Sequence, residues 1–173
     1  MPTRPLLFMA LTLATMAAAC SSGPSTEEYL SGLASVNSTL DRELNDLEGK
    51  FNAGLLDINF ESPEAEEQLI ELFQTVITGT ASAFSELVAG IESLEPPSEL
   101  AALHEDALRA GQQVLDEYAD RAEGLAAIVS ITDIDSYAAA FSSTGVRERF
   151  AESCRELQRI ADSKSIAANL SCP

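Results

Sequence analysis

Histidine occurs once in this 173-residue chain, lysine twice, cysteine three times and tryptophan not at all. A Ser-His-Asp or Cys-His nucleophile needs a histidine as its proton shuttle, so any such site would have to be built on His104. No G-x-S-x-G elbow accompanies it. Zinc needs clustered cysteine and histidine, and the di-iron pattern of helical bundles needs Glu-x-x-His, whereas Ala101 stands three residues before His104. A phosphate-cradling glycine-rich loop and a c-type haem attachment motif are also missing. Basic residues are scarce: 28 carboxylates face 10 lysines and arginines, a formal net charge of -18. Such a surface repels nucleic acid and anionic headgroups.

What remains is enough to fold. A hydrophobic fraction of 46% with 22% charged residues supports a real core, and the length suits one domain. The acid is uneven, with 18 carboxylates between Glu27 and Asp106 against only Arg42 and Lys50. Arg147, Arg149, Arg155, Arg159 and Lys164 gather late. A solvated acidic half facing a basic last helix accounts for this, the alternative being an acidic docking surface. Glu64, Glu67 and Glu71 share one helical face and could hold a hard cation such as calcium. Acidic first turns are also what the helix dipole favours without any ion. Asp133-Ile134-Asp135 lacks the later ligands and the glycine of a calcium loop.

The N-terminus points to export. Residues 1–4 supply a positive start, 5–16 an apolar run and Ala17-Ala18-Ala19 a small-residue cleavage site, so residues 1–19 are expected to be a signal peptide. The run is too short to span a bilayer. Cys20, followed by Ser21-Ser22-Gly23-Pro24-Ser25, resembles the lipobox of bacterial lipoproteins, with Ala17 where leucine is usual. That resemblance implies a lipidated Cys20 as the first mature residue. The other reading is an ordinary A-x-A site that leaves Cys20 plain. Parity favours lipidation, because it removes one of three cysteines and lets Cys154 and Cys172 pair. Two or more acyl chains would make the anchoring stable, at about 0.8 kcal/mol per buried methylene. Residues 20–25 then form a flexible tether of roughly 20 Å, and residues 26–173 the helical domain.

Helical periodicity dominates that domain. Ser25 and Glu28 make a capping-box pattern before Leu33, Val36, Leu40, Leu44, Leu47 and Phe51. Leu56, Ile58 and Phe60 are expected in a loop that closes one end of the core. Ser62-Pro63-Glu64 signals a second start, followed by Leu69, Phe73, Val76, Phe84, Leu87 and Ile91. Gly79 and Gly90 inside this helix mark close approach of a neighbour. Pro96-Pro97 is a hairpin hinge, with Ser98 as the cap of a third helix through Leu100, Leu103, Val114, Tyr118 and Ile128. His104 is expected half-buried and hydrogen-bonded near its start, with metal ligand or pH sensor as the alternative. Residues 130–144 are read as turns around one or two helical turns at 137–141. A last helix carries Val146, Phe150, Cys154, Leu157 and Ile160, and the tail folds back to let Cys172 meet Cys154. Two free thiols are the alternative.

The run Leu94-Glu95-Pro96-Pro97-Ser98-Glu99-Leu100 with Leu103-His104, and Cys154-Arg155-Glu156-Leu157 with Cys172, is similar to a diffuse group of uncharacterised bacterial helical-bundle lipoproteins. The resemblance implies architecture and location and brings no reaction. The expected fold is all-α, an antiparallel up-down four-helix bundle with a shorter last helix and a disulfide-pinned tail. The expected function is a non-enzymatic envelope lipoprotein, held to the membrane by lipid on Cys20, that presents an acidic helical surface to an envelope protein partner. The alternative is a membrane-anchored module that binds a small ligand or cation. No cofactor and no nucleic acid are expected. Mass spectrometry of the native N-terminus should find an acylated Cys20; an unmodified cysteine there sinks the anchor.

Overall fold

Helices α1 (Thr26–Asp57), α2 (Ala65–Glu92), α3 (Ala101–Leu125), α4 (Ile131–Phe141) and α5 (Val146–Ser163) make up the regular structure of a computed structural model. It describes residues 23–141 and 145–172, and among these there is no strand. The expected signal peptide at residues 1–19, Cys20 and Ser142-Ser143-Thr144 lie outside the described residues.

The capping box that opens α1 is formed. Ser25 Oγ accepts the Glu28 amide at 3.2 Å, and the Glu28 carboxylate accepts the Ser25 amide at 2.8 Å. From there α1 runs 32 residues, about 48 Å. Its long neighbour is α2, and the glycines show how close the two lie. A Cβ on Gly79 would stand 2.5 Å from Leu47 Cδ2, and one on Gly90 would stand 2.8 Å from Val36 Cγ1. No real Cβ sits that close, so the missing side chains are what admit the leucine and the valine. Gly32 meets Leu94 and Gly54 meets Leu72 on the same seam, so α1 positions rise as their α2-side partners fall.

Several boundaries differ from those the sequence suggests. α2 begins at Ala65 rather than at Pro63, because residues 59–65 first form turns in which Ser62 N bonds Asn59 O and Ala65 N bonds Ser62 O. Ser62 still acts there: its hydroxyl contacts the Glu64 carboxylate and accepts the Glu64 amide at 3.3 Å. At the hinge, Ser98 makes no cap. A turn from Leu100 N to Pro97 O, 2.8 Å, leads into α3, and Leu100 holds the N-cap position without a side-chain bond. The segment after α3 is more helical than expected. Ser130 and Asp133 cap each other reciprocally, Ser130 N to Asp133 Oδ2 at 2.9 Å and Asp133 N to Ser130 Oγ at 3.3 Å, so α4 forms 11 residues rather than one or two turns.

The largest departure concerns Leu56 and Phe60. They were expected to close the core, yet they are 87% and 66% exposed. Helix α1 continues through Asp57, and two residues of helix turn a side chain through about 200°. Gly54 faces α2, so Leu56 faces away from it.

The core joins all the long helices. Leu30 and Leu33 of α1, Leu87 and Ile91 of α2, Val114 and Tyr118 of α3 and Phe150 and Leu157 of α5 belong to one buried cluster. α3 packs on both α2 and α5, and α4 packs on α2 through an edge-on Phe73–Tyr137 pair with centroids 5.7 Å apart.

The C-terminal tail completes that cluster. α5 ends in a Schellman motif, with Ile166 N on Ala161 O at 2.9 Å and Ser165 N on Asp162 O at 3.1 Å. Ser165 holds the left-handed position, φ 56, where glycine is usual. The chain then runs back along α5. Gln158 grips it twice, Nε2 donating to Ala168 O at 3.0 Å and Oε1 accepting Leu170 N at 2.8 Å. Asn37 of α1 donates to Leu170 O at 2.6 Å, and Leu170 is 1% exposed. Cys154 and Cys172 are joined, S–S 2.06 Å. Replacing both cysteines by serine should lower stability by about 3 kcal/mol, read as a shifted urea midpoint; an unchanged midpoint would show that the hydrogen bonds alone hold the tail.

Candidate functional site

One end of the molecule is tied by polar contacts. Tyr29 in the first turn of α1 places its hydroxyl 2.9 Å from His104 Nδ1 in the first turn of α3, with the rings edge-on at 5.7 Å. Both side chains are buried. Burial lowers the His104 pKa below its ordinary value, and the neighbouring Glu105 charge offsets this only in part. Burial likewise pushes the Tyr29 phenol up to about 12. The pair is therefore neutral at physiological pH. Beside it, Thr26 Oγ1 donates to Glu99 Oε1 at 2.6 Å and Lys164 Nζ lies 3.6 Å from the same oxygen. The Thr26 hydroxyl is the main reason the exposed Glu99 carboxyl is held below its usual range, with Lys164 a smaller contributor. The start of α1, the hinge and the end of α5 meet here.

His104 is hydrogen-bonded near the start of α3 as the sequence suggests, with Tyr29 as its partner, but it is buried rather than half-buried. Tyr29 was not singled out, although it sits four residues before Leu33 on the same stripe and could have been found by extending that stripe one turn. A tyrosine-histidine hydrogen bond can transfer a proton only if a reacting group reaches it. Among the described residues no three of His, Cys, Asp and Glu stand together as a metal site. Glu64, Glu67 and Glu71 all lie exposed along the start of α2, and Glu64 is engaged by Ser62. Cys154 and Cys172 are consumed in the disulfide, and Cys20 lies outside the described residues.

A second polar group locks α3 to α5. The Arg147 guanidinium lies 5.6 Å over the Tyr118 ring and donates to its hydroxyl at 3.3 Å. Arg121 pairs with Glu117 at 3.2 Å on the same helix, both side chains mostly buried. This arrangement anchors helices, and a small cleft of about 150 Å³ opens beside Arg147 with Phe84, Val114 and Phe150 in its wall.

The opposite end has a different character. Leu56, Phe60, Val129 and Ile131 are the exposed large hydrophobics among the described residues, at 87%, 66%, 77% and 46%. All four lie where α1 ends, α2 begins and α3 passes into α4. Glu66 joins these pieces by accepting the Ile131 amide at 3.0 Å, and Gln74 donates to Leu125 O at 2.8 Å. A cleft of about 410 Å³ opens between the end of α1 and the start of α2, lined by Asp57, Ile58, Gln68, Glu71, Leu72 and Thr75. Among the described residues no helix is long and apolar enough to cross a membrane.

A scan against protein-family models and searches of curated proteins and of solved structures each found no match.

As the chain's only histidine, His104 gives one imidazole signal that can be followed by NMR. In the folded protein it should titrate below 6.5. The unfolded chain then takes up the proton first as pH falls, so the stability tied to this group is present above pH 6.5 and is lost below it. His104→Phe should remove that part of the pH dependence; an unchanged slope would show that the histidine is not the source.

Proposed function

We propose that this chain is a non-enzymatic, exported lipoprotein of a bacterial cell envelope, anchored by lipid on Cys20, that holds an acidic helical surface at a fixed height for another envelope component. The four long helices α1, α2, α3 and α5 form an antiparallel up-down bundle in this reading. The reversed order of the α1–α2 glycine contacts supports it, as does the short Pro96-Pro97 hinge between α2 and α3.

The observation that carries the proposal is the placement of exposed apolar side chains. They gather at the end of α1 that lies about 48 Å from Ser25, where the tether would begin. Scattered surface leucines need no explanation, but several large ones gathered at one end of an otherwise acidic molecule suit a contact surface. A lipid on Cys20 and a tether of a few residues would leave that end farthest from the bilayer. The net charge of -18 keeps the body from lying down on anionic headgroups. Function is then display: the lipid fixes one end, the rigid helices set the distance, and the far end meets its partner.

Site-specific photo-crosslinking in intact cells tests this. A photoreactive residue in place of Phe60 or Ile131 should give a discrete adduct in the membrane fraction, whereas one in place of Asn45 on the side of α1 should not. Recovery of the chain in the cytoplasm, or equal adducts from Asn45, would overturn the display reading.

A further inference from the structure

The partner of the far end can be described by its chemistry, an inference that rests on the display reading. Residues 51–71 and 124–135, which build that end, carry six and two carboxylates respectively and no lysine or arginine. Two of the eight, Glu66 and Asp133, accept backbone amides at this end. Phe60, Leu56, Val129 and Ile131 are thus apolar groups set in a field of one sign. The cleft between α1 and α2 repeats the mixture on a smaller scale, with Ile58 and Leu72 lining it together with Asp57 and Glu71.

We infer that the far end docks a segment of a partner protein in which apolar side chains alternate with lysine or arginine. Apolar area supplies the attraction and opposite charge supplies the choice of partner and the rate of encounter. A second copy of this chain would set carboxylates against carboxylates, and an anionic bilayer would be repelled for the same reason. The cleft offers room for one or two side chains of such a segment, with Asp57 and Glu71 in its lining to meet its cations.

A direct test uses the exported protein held by its own lipid in nanodiscs of zwitterionic lipid, with empty nanodiscs as the blank. The probe is a fluorescein-labelled amphipathic helical peptide of leucine and lysine. Two companions carry glutamate for lysine or serine for leucine. The leucine-lysine peptide should bind, weakening as salt is raised, and both companions should bind at least about tenfold more weakly. Leu56→Ser with Phe60→Ser should weaken binding about tenfold, and Asp57→Asn with Glu71→Gln several-fold. Glu152→Gln with Glu156→Gln on α5 should leave it within about twofold. The substituted apolar residues are exposed, and circular dichroism checks that the variants fold.

Absent binding overturns the inference. So does equal binding of the serine companion, or indifference to Leu56→Ser with Phe60→Ser, since either marks charge attraction over the whole acidic surface. Self-association through the far end overturns it in favour of a second copy. Failure of the anchor is a separate result: an unmodified Cys20 would end the lipoprotein reading, and the same titration on the freely exported protein would still decide the partner's chemistry.

Discussion

The seam between α1 and α2 is the contact on which the rest of the structure depends. Two helices of 32 and 28 residues lie together closely enough that Leu47 and Val36 occupy the space where Gly79 and Gly90 would carry side chains. Close approach of this kind gains dispersion contacts along the whole seam, which offsets the roughly 1 kcal/mol that each glycine costs inside a helix. With α1 and α2 fixed, their buried stripes offer one continuous surface. α3 covers it after the proline hinge, and α5 covers α3 in turn.

Polar interactions at the two ends of this frame differ in what they accomplish. At the end holding Ser25, a buried neutral Tyr29–His104 bond and the exposed Thr26–Glu99–Lys164 contacts tie the first, middle and last parts of the chain together. The tail adds a second tie, because Gln158 and Asn37 satisfy its backbone groups while Leu170 fills the core and the disulfide closes the loop. At the opposite end Glu66 holds the Ile131 amide and Gln74 the Leu125 carbonyl, and Leu56, Phe60, Val129 and Ile131 face solvent. One end is thus tied by polar contacts while the other offers apolar side chains to solvent.

Much of this was legible beforehand, for identifiable reasons. The capping box at Ser25 and Glu28, the glycines as points of close approach and the inward positions of Phe150, Cys154 and Leu157 all follow from local spacing. The misreadings share a cause as well. Leu56 and Phe60 looked like core because they are apolar, but hydrophobicity does not reveal where a helix stops, and α1 stops only after Leu56 has turned outward. Residues 130–144 were read as turns around a short helical piece at 137–141, although Ser130 and Asp133 cap a helix that begins at Ile131, and Ser98 was expected to cap α3 where the Leu100 amide instead bonds the Pro97 carbonyl.

The sequence by itself determined that the chain is helical and where its main hinge lies, since periodicity and proline act locally, whereas the pairing of Cys154 with Cys172 was settled by the structure. Only the tertiary structure decided that Tyr29 meets His104, that Asn37 and Gln158 hold the tail, and that four apolar side chains from separate segments share one end. Those relations join residues far apart in the chain, and their partners are set by how the helices pack, which no local pattern encodes.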